Sequence, residues 1–242
     1  LLSLCMENNM KLSDLLTDIE YVLVQGNLDI DINNIVYDSR KAQKDDVFVC
    51  IKGTGVDGHK FIPQTIEKGV TALIVTDEVK APENITVVKV NDDRKALAYM
   101  SAAYFGYPAN KLKTIGITGT KGKTTTTYMI RQVLESVGIK TGLIGTIETI
   151  IGDKKIPASN TTPESYVVQQ SFAKMVEEGC ECVVMEVSSH ALKQDRTYGL
   201  LFDSVLVTNI TRDHLDYHKT LKDYIKSKQK LIHLTRGKKI CI

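Results

Sequence analysis

The residues with the clearest chemical potential are Gly119-Thr120-Lys121-Gly122-Lys123-Thr124-Thr125, at the end of the apolar run Thr114-Ile115-Gly116-Ile117-Thr118. Glycines let a backbone curl until several N–H groups face one anion, and a helix starting near Thr124 would add its positive end. Lys123 could then reach β- and γ-phosphates, and the Thr124 hydroxyl could ligate Mg²⁺. The spacing is G-x-x-G-K-T, shorter than the stringent phosphate-loop pattern, which wants glycine where Ile117 stands. A Gly-Lys-Thr turn without a phosphate role is the competing explanation. It is disfavoured because strand, loop and helix all fall where the motif needs them.

Two further apolar runs end in polar residues. Residues 181–187 (Glu-Cys-Val-Val-Met-Glu-Val) carry Glu186 near their end, followed by Ser188-Ser189-His190. Residues 202–209 end at Thr208-Asn209, followed by Thr211-Arg212-Asp213-His214-Leu215-Asp216-Tyr217-His218. Runs apolar on every residue are what strands covered on both faces look like. In a parallel, doubly wound sheet, ligands gather at the carboxyl ends of such strands. A phosphate cradle, a carboxylate and an imidazole would therefore meet in one crevice. A carboxylate and a hydroxyl beside phosphates suit Mg²⁺, which makes Thr124, Glu186 and His214 the candidate ligands. Taken singly, Glu186 could be a helix cap, and His190 and His218 read as structural.

The elements that must position these groups follow from periodicity and punctuation. Residues 12–105 read as a small α/β unit, with strands at 35–37, 47–51, 71–75 and 85–90 and helices at 62–68 and 92–105. Asp38-Ser39-Arg40 and the three-glycine loop 53–59 interrupt it. Residues 107–113 are the best linker, dividing the chain at 107/108. Beyond it the reading gives a helix at 124–137 closed by Gly138, strands at 141–147 and 148–151, a loop at 160–165 and a helix at 166–178. Residues 1–9 read as an untidy leader. After Leu231 no further domain or strand is expected.

The bulk numbers exclude several classes. The chain has 242 residues, 43% hydrophobic and 25% charged, as in an ordinary globular protein of one or two domains. A net charge of +2, with no dense basic run interleaved with aromatics, argues against nucleic acid. Five cysteines without metal-ligand spacing fit a reducing cytosol. No apolar run reaches membrane-spanning length. A cytosolic monomer is expected.

With these motifs in hand, the sequence resembles the Mur ligase family. The resemblance is carried by the loop at 119–126, Asn160-Thr161-Thr162-Pro163, Met185-Glu186-Val187-Ser188-Ser189-His190-Ala191-Leu192 and the segment 208–218. Asp38-Ser39-Arg40 and Asp57-Gly58-His59 are similar to the family's uridine-binding domain. The family usually has Asn where this chain has Lys121, so an extra positive charge is expected near the phosphates.

The resemblance implies a uridine-binding α/β domain at 1–107 and an incomplete ATP-binding domain at 108–242. The C-terminal amino-acid-binding domain is expected to be absent and the chain alone inactive. It implies an ATP-dependent amide ligase of peptidoglycan synthesis, which activates UDP-N-acetylmuramoyl-L-alanyl-D-glutamate as an acyl phosphate. A diamino acid, meso-diaminopimelate or else L-lysine, is then added. Gly119 to Thr125 would hold ATP. Ser39, Thr54, Gly55 and Val56 would meet the uridine end. Asn160, Thr161, Thr162, Ser188, Gln194 and Arg196 would bind the muramoyl-dipeptide, and Thr124, Glu186 and His214 would hold Mg²⁺. Lys123 would act on the phosphates, and Lys228 would be carbamylated by CO₂. From spacing alone Lys222, Lys226, Lys228 and Lys230 read instead as the wet face of a helix. A folylpolyglutamate synthetase-like ligase and a non-catalytic nucleotide-sugar module remain the alternatives.

Overall fold

The computed structural model describes residues 10–53 and 55–241 of the chain. The expected leader, 1–9, and Thr54 lie outside the described residues. The chain forms two compact units, Leu1–Tyr104 and Phe105–Ile242.

The first unit runs β1 (Met10–Lys11), α1 (Leu12–Leu15), β2 (Tyr21–Gln25), β3 (Asp31–Ile32), β4 (Ile35–Val36), β5 (Val47–Val49), α2 (Ile62–Glu67), β6 (Ala72–Val75), β7 (Thr86–Val90) and α3 (Asp93–Tyr104). Strands β4 to β7 are parallel in the order β7-β6-β5-β4, and β2 closes the sheet antiparallel to β7. The buried, β-branched runs Val47–Val49 and Ala72–Val75 build its core with Phe48, Ile62, Leu73 and Val87. Asp92 caps α3, its Oδ1 accepting the N–H groups of Arg94 and Lys95. The sequence reading missed β1 to β3 and α1. Strand β2 lacks the in-out alternation that marks a half-buried strand, because Tyr21, Val22, Leu23 and Val24 are all exposed on a sheet edge.

The second unit contains β8 (Lys113–Thr118), α4 (Lys123–Ser136), β9 (Thr141–Ile144), β10 (Glu148–Ile151), β11 (Lys154–Pro157), α5 (Ser165–Glu177), β12 (Cys182–Glu186), α6 (Ser189–Lys193), β13 (Phe202–Val207), α7 (Leu215–His218), α8 (Leu221–His233) and β14 (Thr235–Cys241). The sheet order is β11-β10-β9-β12-β8-β13-β14, parallel from β9 to β14, with an antiparallel hairpin on the β9 edge. This is the mostly parallel, doubly wound sheet that the alternating runs predict. On one face Phe172 and Met175 of α5 and Leu231 of α8 pack on Val183, Met185, Phe202 and Val205. On the other, Ile130 and Leu134 of α4 cover Ile117, Val184 and Leu206. Each such fully buried side chain contributes about 1.5–3 kcal/mol.

Three expectations are corrected. The strand expected over 141–147 stops at Ile144, and Gly152-Asp153 turns a hairpin into a further strand, β11. The tail is not featureless, since Thr235–Cys241 adds β14 parallel to β13. Its glycine and basic residues hid it from a search for apolar runs. Lys228 does not lie on the wet face of α8, as described below.

Candidate active site

Strand β8 lies between β12 and β13, so its end at Thr118 is flanked by the ends of both. The backbone turns at Gly119, where φ is +153° and an added Cβ would lie 1.9 Å from Thr208 Oγ1. Only glycine lets the loop pass that close to the neighbouring strand end. Gly122 is the N-cap of α4, with φ +82°. The first-turn amides of α4 have no partner one turn back, which is the donor set a phosphate group needs.

Asn209, which the sequence reading passed over, shapes the rest of the loop. Its carbonyl accepts Thr120 N–H at 2.9 Å, its Oδ1 accepts Lys121 N–H at 3.0 Å, and its Nδ2 donates to Lys121 O at 3.0 Å. Those two amides are thus spent inside the protein, leaving the α4 terminus as the anion-facing part. The Lys121 side chain is exposed, with Nζ 4.0 Å from Asp213. Lys123 folds back on its own loop, donating to Gly119 O at 2.9 Å and Thr120 O at 3.1 Å. Burial lowers its pKa, against the attraction of Glu186 and Asp213.

Glu186 ends β12 fully buried. Its Oε1 accepts Thr146 N–H at 2.9 Å, and its Oε2 accepts the Thr124 and Thr146 hydroxyls at 3.1 and 3.0 Å. All three donors are neutral, so a buried carboxyl group sits against the loop threonine with no ion pair to a protein cation among the described residues. A carboxylate and a hydroxyl are hard oxygen ligands, and the set fits Mg²⁺. His214 is a half-exposed residue in the left-handed region, φ +50°, edge-on to His190 with ring centroids 4.8 Å apart. Among the described residues no third carboxylate, imidazole or thiol groups with Glu186 and His214.

Beside the loop lies a cleft of about 260 Å³. Its walls include Gly119, Lys123, Asn160, Thr161, Thr162, Ser188, Gln194, Arg196, His214 and Lys228, residues that the sequence reading collected from five separate segments. Ser189, His190 and Tyr224 also line it, and that reading gave them no site role.

Several of these side chains are already engaged. Thr162 Oγ1 donates to Glu186 O at 2.9 Å and accepts Ser188 N–H at 3.0 Å, tying the 160–165 loop to the end of β12. Ser188 caps α6 by accepting Ala191 N–H at 3.2 Å. Arg196 donates to Thr162 O and Gln194 Oε1, both at 2.8 Å, and its Nε pairs with Glu164 at 3.0 Å. A guanidinium held this firmly is oriented before any carboxylate or phosphate arrives.

Lys228 is 2% exposed, whereas Lys222, Lys226 and Lys230 face solvent. With Tyr224, Ser227 and Leu231 it forms the inward stripe of α8, each of the four lying three or four residues from another. Its Nζ donates to Gly119 O at 2.8 Å and lies 4.7 Å from the centre of the Tyr224 ring. The Tyr224 hydroxyl bonds Thr120 Oγ1 at 3.0 Å. Burial, reinforced by Lys123, brings the Lys228 pKa down to about 7. A large neutral fraction near pH 7 is what a nucleophilic amine requires.

In the first unit the expected uridine residues are not gathered in the same way. Ser39 is buried, with its carbonyl held by Lys68 Nζ at 2.7 Å. Gly55 and Val56 are exposed. A cleft of about 690 Å³ there is lined by Asp29, Asp31, Asn33, Lys44, Asp45 and Thr86 among others, and by none of the expected residues.

A parallel sheet with a glycine loop at its central strand, opening a helix beside a buried carboxylate, a half-buried lysine and a buried one, has the features of a phosphate-loop α/β domain. Comparison with known proteins narrows this. The Mur ligase middle domain matches residues 117–242, and the catalytic domain of the Mur ligase family matches residues 31–108. The chain belongs to the Mur ligase family.

Among its relatives is a UDP-N-acetylmuramoyl-L-alanyl-D-glutamate–2,6-diaminopimelate ligase of Clostridium perfringens, 53% identical over 92% of this chain and 46% of that protein. A Clostridium acetobutylicum protein of the same name is 51% identical over 90% and 45%. A solved diaminopimelate ligase of that name superposes with a TM-score of 0.77 at 23% identity, over 96% of this chain and 47% of the other. The chain thus spans about half the length of the curated relatives it matches.

Proposed function

We propose that the whole protein to which these residues correspond is an ATP-dependent ligase of peptidoglycan synthesis. It joins meso-diaminopimelate to UDP-N-acetylmuramoyl-L-alanyl-D-glutamate. The observation that carries this reading is the single cleft in which the phosphate loop, Asn160 to Thr162, Arg196, His214 and Lys228 meet. The choice of diaminopimelate over L-lysine rests on the names of the relatives.

In this reading the α4 terminus and Lys123 bind the ATP phosphates. Lys123 exchanges its bonds to Gly119 O and Thr120 O for phosphate oxygens. Asn160, Thr161, Gln194 and Arg196 hold the dipeptide so that its terminal carboxylate faces the γ-phosphate. A carboxylate oxygen attacks phosphorus and the bond to ADP breaks, giving an acyl phosphate. The incoming amine adds to the acyl carbon, and the tetrahedral species expels phosphate as the amine loses its proton. Positioning and charge neutralisation account for most of the rate.

Thr124, Glu186 and His214 would hold Mg²⁺, which when bound supplies counter-charge to the phosphates. The neutral Lys228 amine adds to CO₂, forming an N–C bond as one C=O π bond opens and the amine proton leaves. The product is a carbamate anion. Ser39, Thr54, Gly55 and Val56 contact the uridine end, on a domain that ends near residue 107. The enzyme works as a cytoplasmic monomer. No helix among the described residues is long and apolar enough to cross a membrane.

The test is ADP release together with product mass, measured on the whole protein with ATP, the muramoyl-dipeptide and either diamino acid. The expected product carries diaminopimelate. A lysine product would overturn the amino-acid choice, and no product with either would overturn the ligase reading.

A further inference from the structure

His218 plays no part in the chemistry above, yet it is the most enclosed of the imidazoles around the cleft, its side chain 0% exposed. Its Nε2 lies 2.9 Å from Ser189 Oγ, the first residue of α6. Its Nδ1 lies 3.4 Å from Ser227 Oγ on α8 and 3.6 Å from Asp223 Oδ2 on the same helix. Ser227 is itself fixed by donating to Asp223 O at 2.9 Å. Asp223 in turn pairs with Lys193 of α6. Around the ring stand His190, Tyr217 and Tyr224, at centroid separations of 5.6, 4.9 and 5.2 Å.

Helices α6 and α8 both wall the cleft, the first with Ser189 and His190 and the second with Tyr224 and Lys228. Ser227 immediately precedes Lys228, so whatever fixes the rotation of α8 at Ser227 also fixes where the lysine stem enters the cleft. One residue of rotation about a helix axis is about 100°, enough to turn Lys228 out to solvent. A far smaller slip would break its 2.8 Å bond to Gly119 O. Burial lowers the imidazole pKa, helped by His190 and Lys193 and opposed by Asp223, which favours the neutral ring. Ser227 Oγ gives its proton to Asp223 O and so accepts from Nδ1–H of the neutral ring, which leaves Nε2 to accept from the Ser189 hydroxyl.

We propose that His218 is the positioning residue for Lys228, bolting Ser189 of α6 to Ser227 of α8 and so holding the lysine amine at Gly119 beside the phosphate loop. The inference rests on the reading of Lys228 as the CO₂-reactive amine.

The test supplies ¹³C-bicarbonate to the folded chain and reads the carbamate carbon by NMR, with Lys228→Gln identifying the signal that belongs to Lys228. His218→Phe keeps a ring of similar size but removes the imidazole partner of Ser189 Oγ and leaves Ser227 Oγ with Asp223 O alone. It is expected to reduce the Lys228 carbamate per folded molecule roughly tenfold at equal bicarbonate. His218→Gln, which can still bond Ser189, is expected to recover most of it, and Ser227→Ala to lose part. A core histidine with no positioning role would lower the melting temperature of His218→Phe while leaving the carbamate fraction of the folded protein unchanged, and that result overturns the proposal. Should the wild-type chain take up no label at Lys228, the carbamylation reading fails instead. The bolt is then judged by a crystal structure of His218→Phe: Lys228 Nζ displaced from Gly119 O supports it, and Nζ still in hydrogen-bond contact overturns it.

Discussion

Each unit holds a cluster of ionisable side chains at the ends of parallel strands, and the two clusters are wired in opposite ways. In the first, Asp57 Oδ1 lies 2.7 Å from His59 Nδ1 and also accepts His59 N–H at 3.0 Å. His59 Nε2 accepts Thr76 N–H at 3.2 Å, so Nδ1 carries the ring proton. Lys52 closes on Asp77 at 2.6 Å. The ligand atoms of Asp57, His59 and Asp77 lie within 4.8 Å of one another, but the imidazole lone pair is already taken by backbone. Every charge there has its partner within the chain.

In the second unit Glu186 is buried with neutral donors only, and the half-buried Lys123 and the buried Lys228 donate to backbone carbonyls. Buried charges that meet only dipoles are costly unless a counter-charge arrives. The first cluster is closed on itself, whereas the second leaves its charges without a protein counter-charge, which suits the proposed anionic substrate.

That contrast can be broken from either side. The largest effect is expected from Lys123→Ala. Removing the loop cation should slow ADP release by the whole protein about 10²–10³-fold, since it subtracts one preorganised charge from the phosphates. Gly119→Ala drives a Cβ against Thr208 and forces an unfavourable φ. A loss of about 2–4 kcal/mol of stability is expected by chemical denaturation.

Lys228→Met tests the cost of the buried amine. Its folded pKa of about 7 lies below the ordinary lysine value, so between the two the unfolded chain binds more protons and wild-type stability should rise with pH. Below pH 7 the penalty is fully felt. The variant should therefore be more stable there by an amount on the order of 3 kcal/mol, and should lose the rise between pH 7 and 10, as read from urea midpoints across that range.

The smallest effect belongs to the self-satisfied cluster. Asp57→Asn should cost about 1 kcal/mol through the weakened cap and imidazole bond. ATP affinity measured by calorimetry should not change.

Much of the second unit was legible in the sequence for physical reasons. Buried parallel strands read as unbroken apolar runs, and their ends, at Thr118, Glu186 and Val207, are where the chemistry collects. The glycine spacing placed the loop itself. What escaped was side-chain direction. Tyr224, Ser227, Lys228 and Leu231 have the spacing of an inward stripe, but a lysine and a serine in that stripe disguise it among four lysines. Asn209 and Thr146 act through one amide or hydroxyl each, which leaves no periodic trace. In the first unit Ser39, Gly55 and Val56 were assigned by resemblance rather than by any pattern of their own, and the cleft of about 690 Å³ in that unit is not lined by them.

The most direct measurement is calorimetric titration of this chain with a non-hydrolysable ATP analogue and, separately, with UDP-N-acetylmuramoyl-L-alanyl-D-glutamate. Both are expected to bind, with Lys123→Ala abolishing only the first and Arg196→Ala only the second. If neither ligand binds the folded chain, the cleft beside Gly119 is not the activating site.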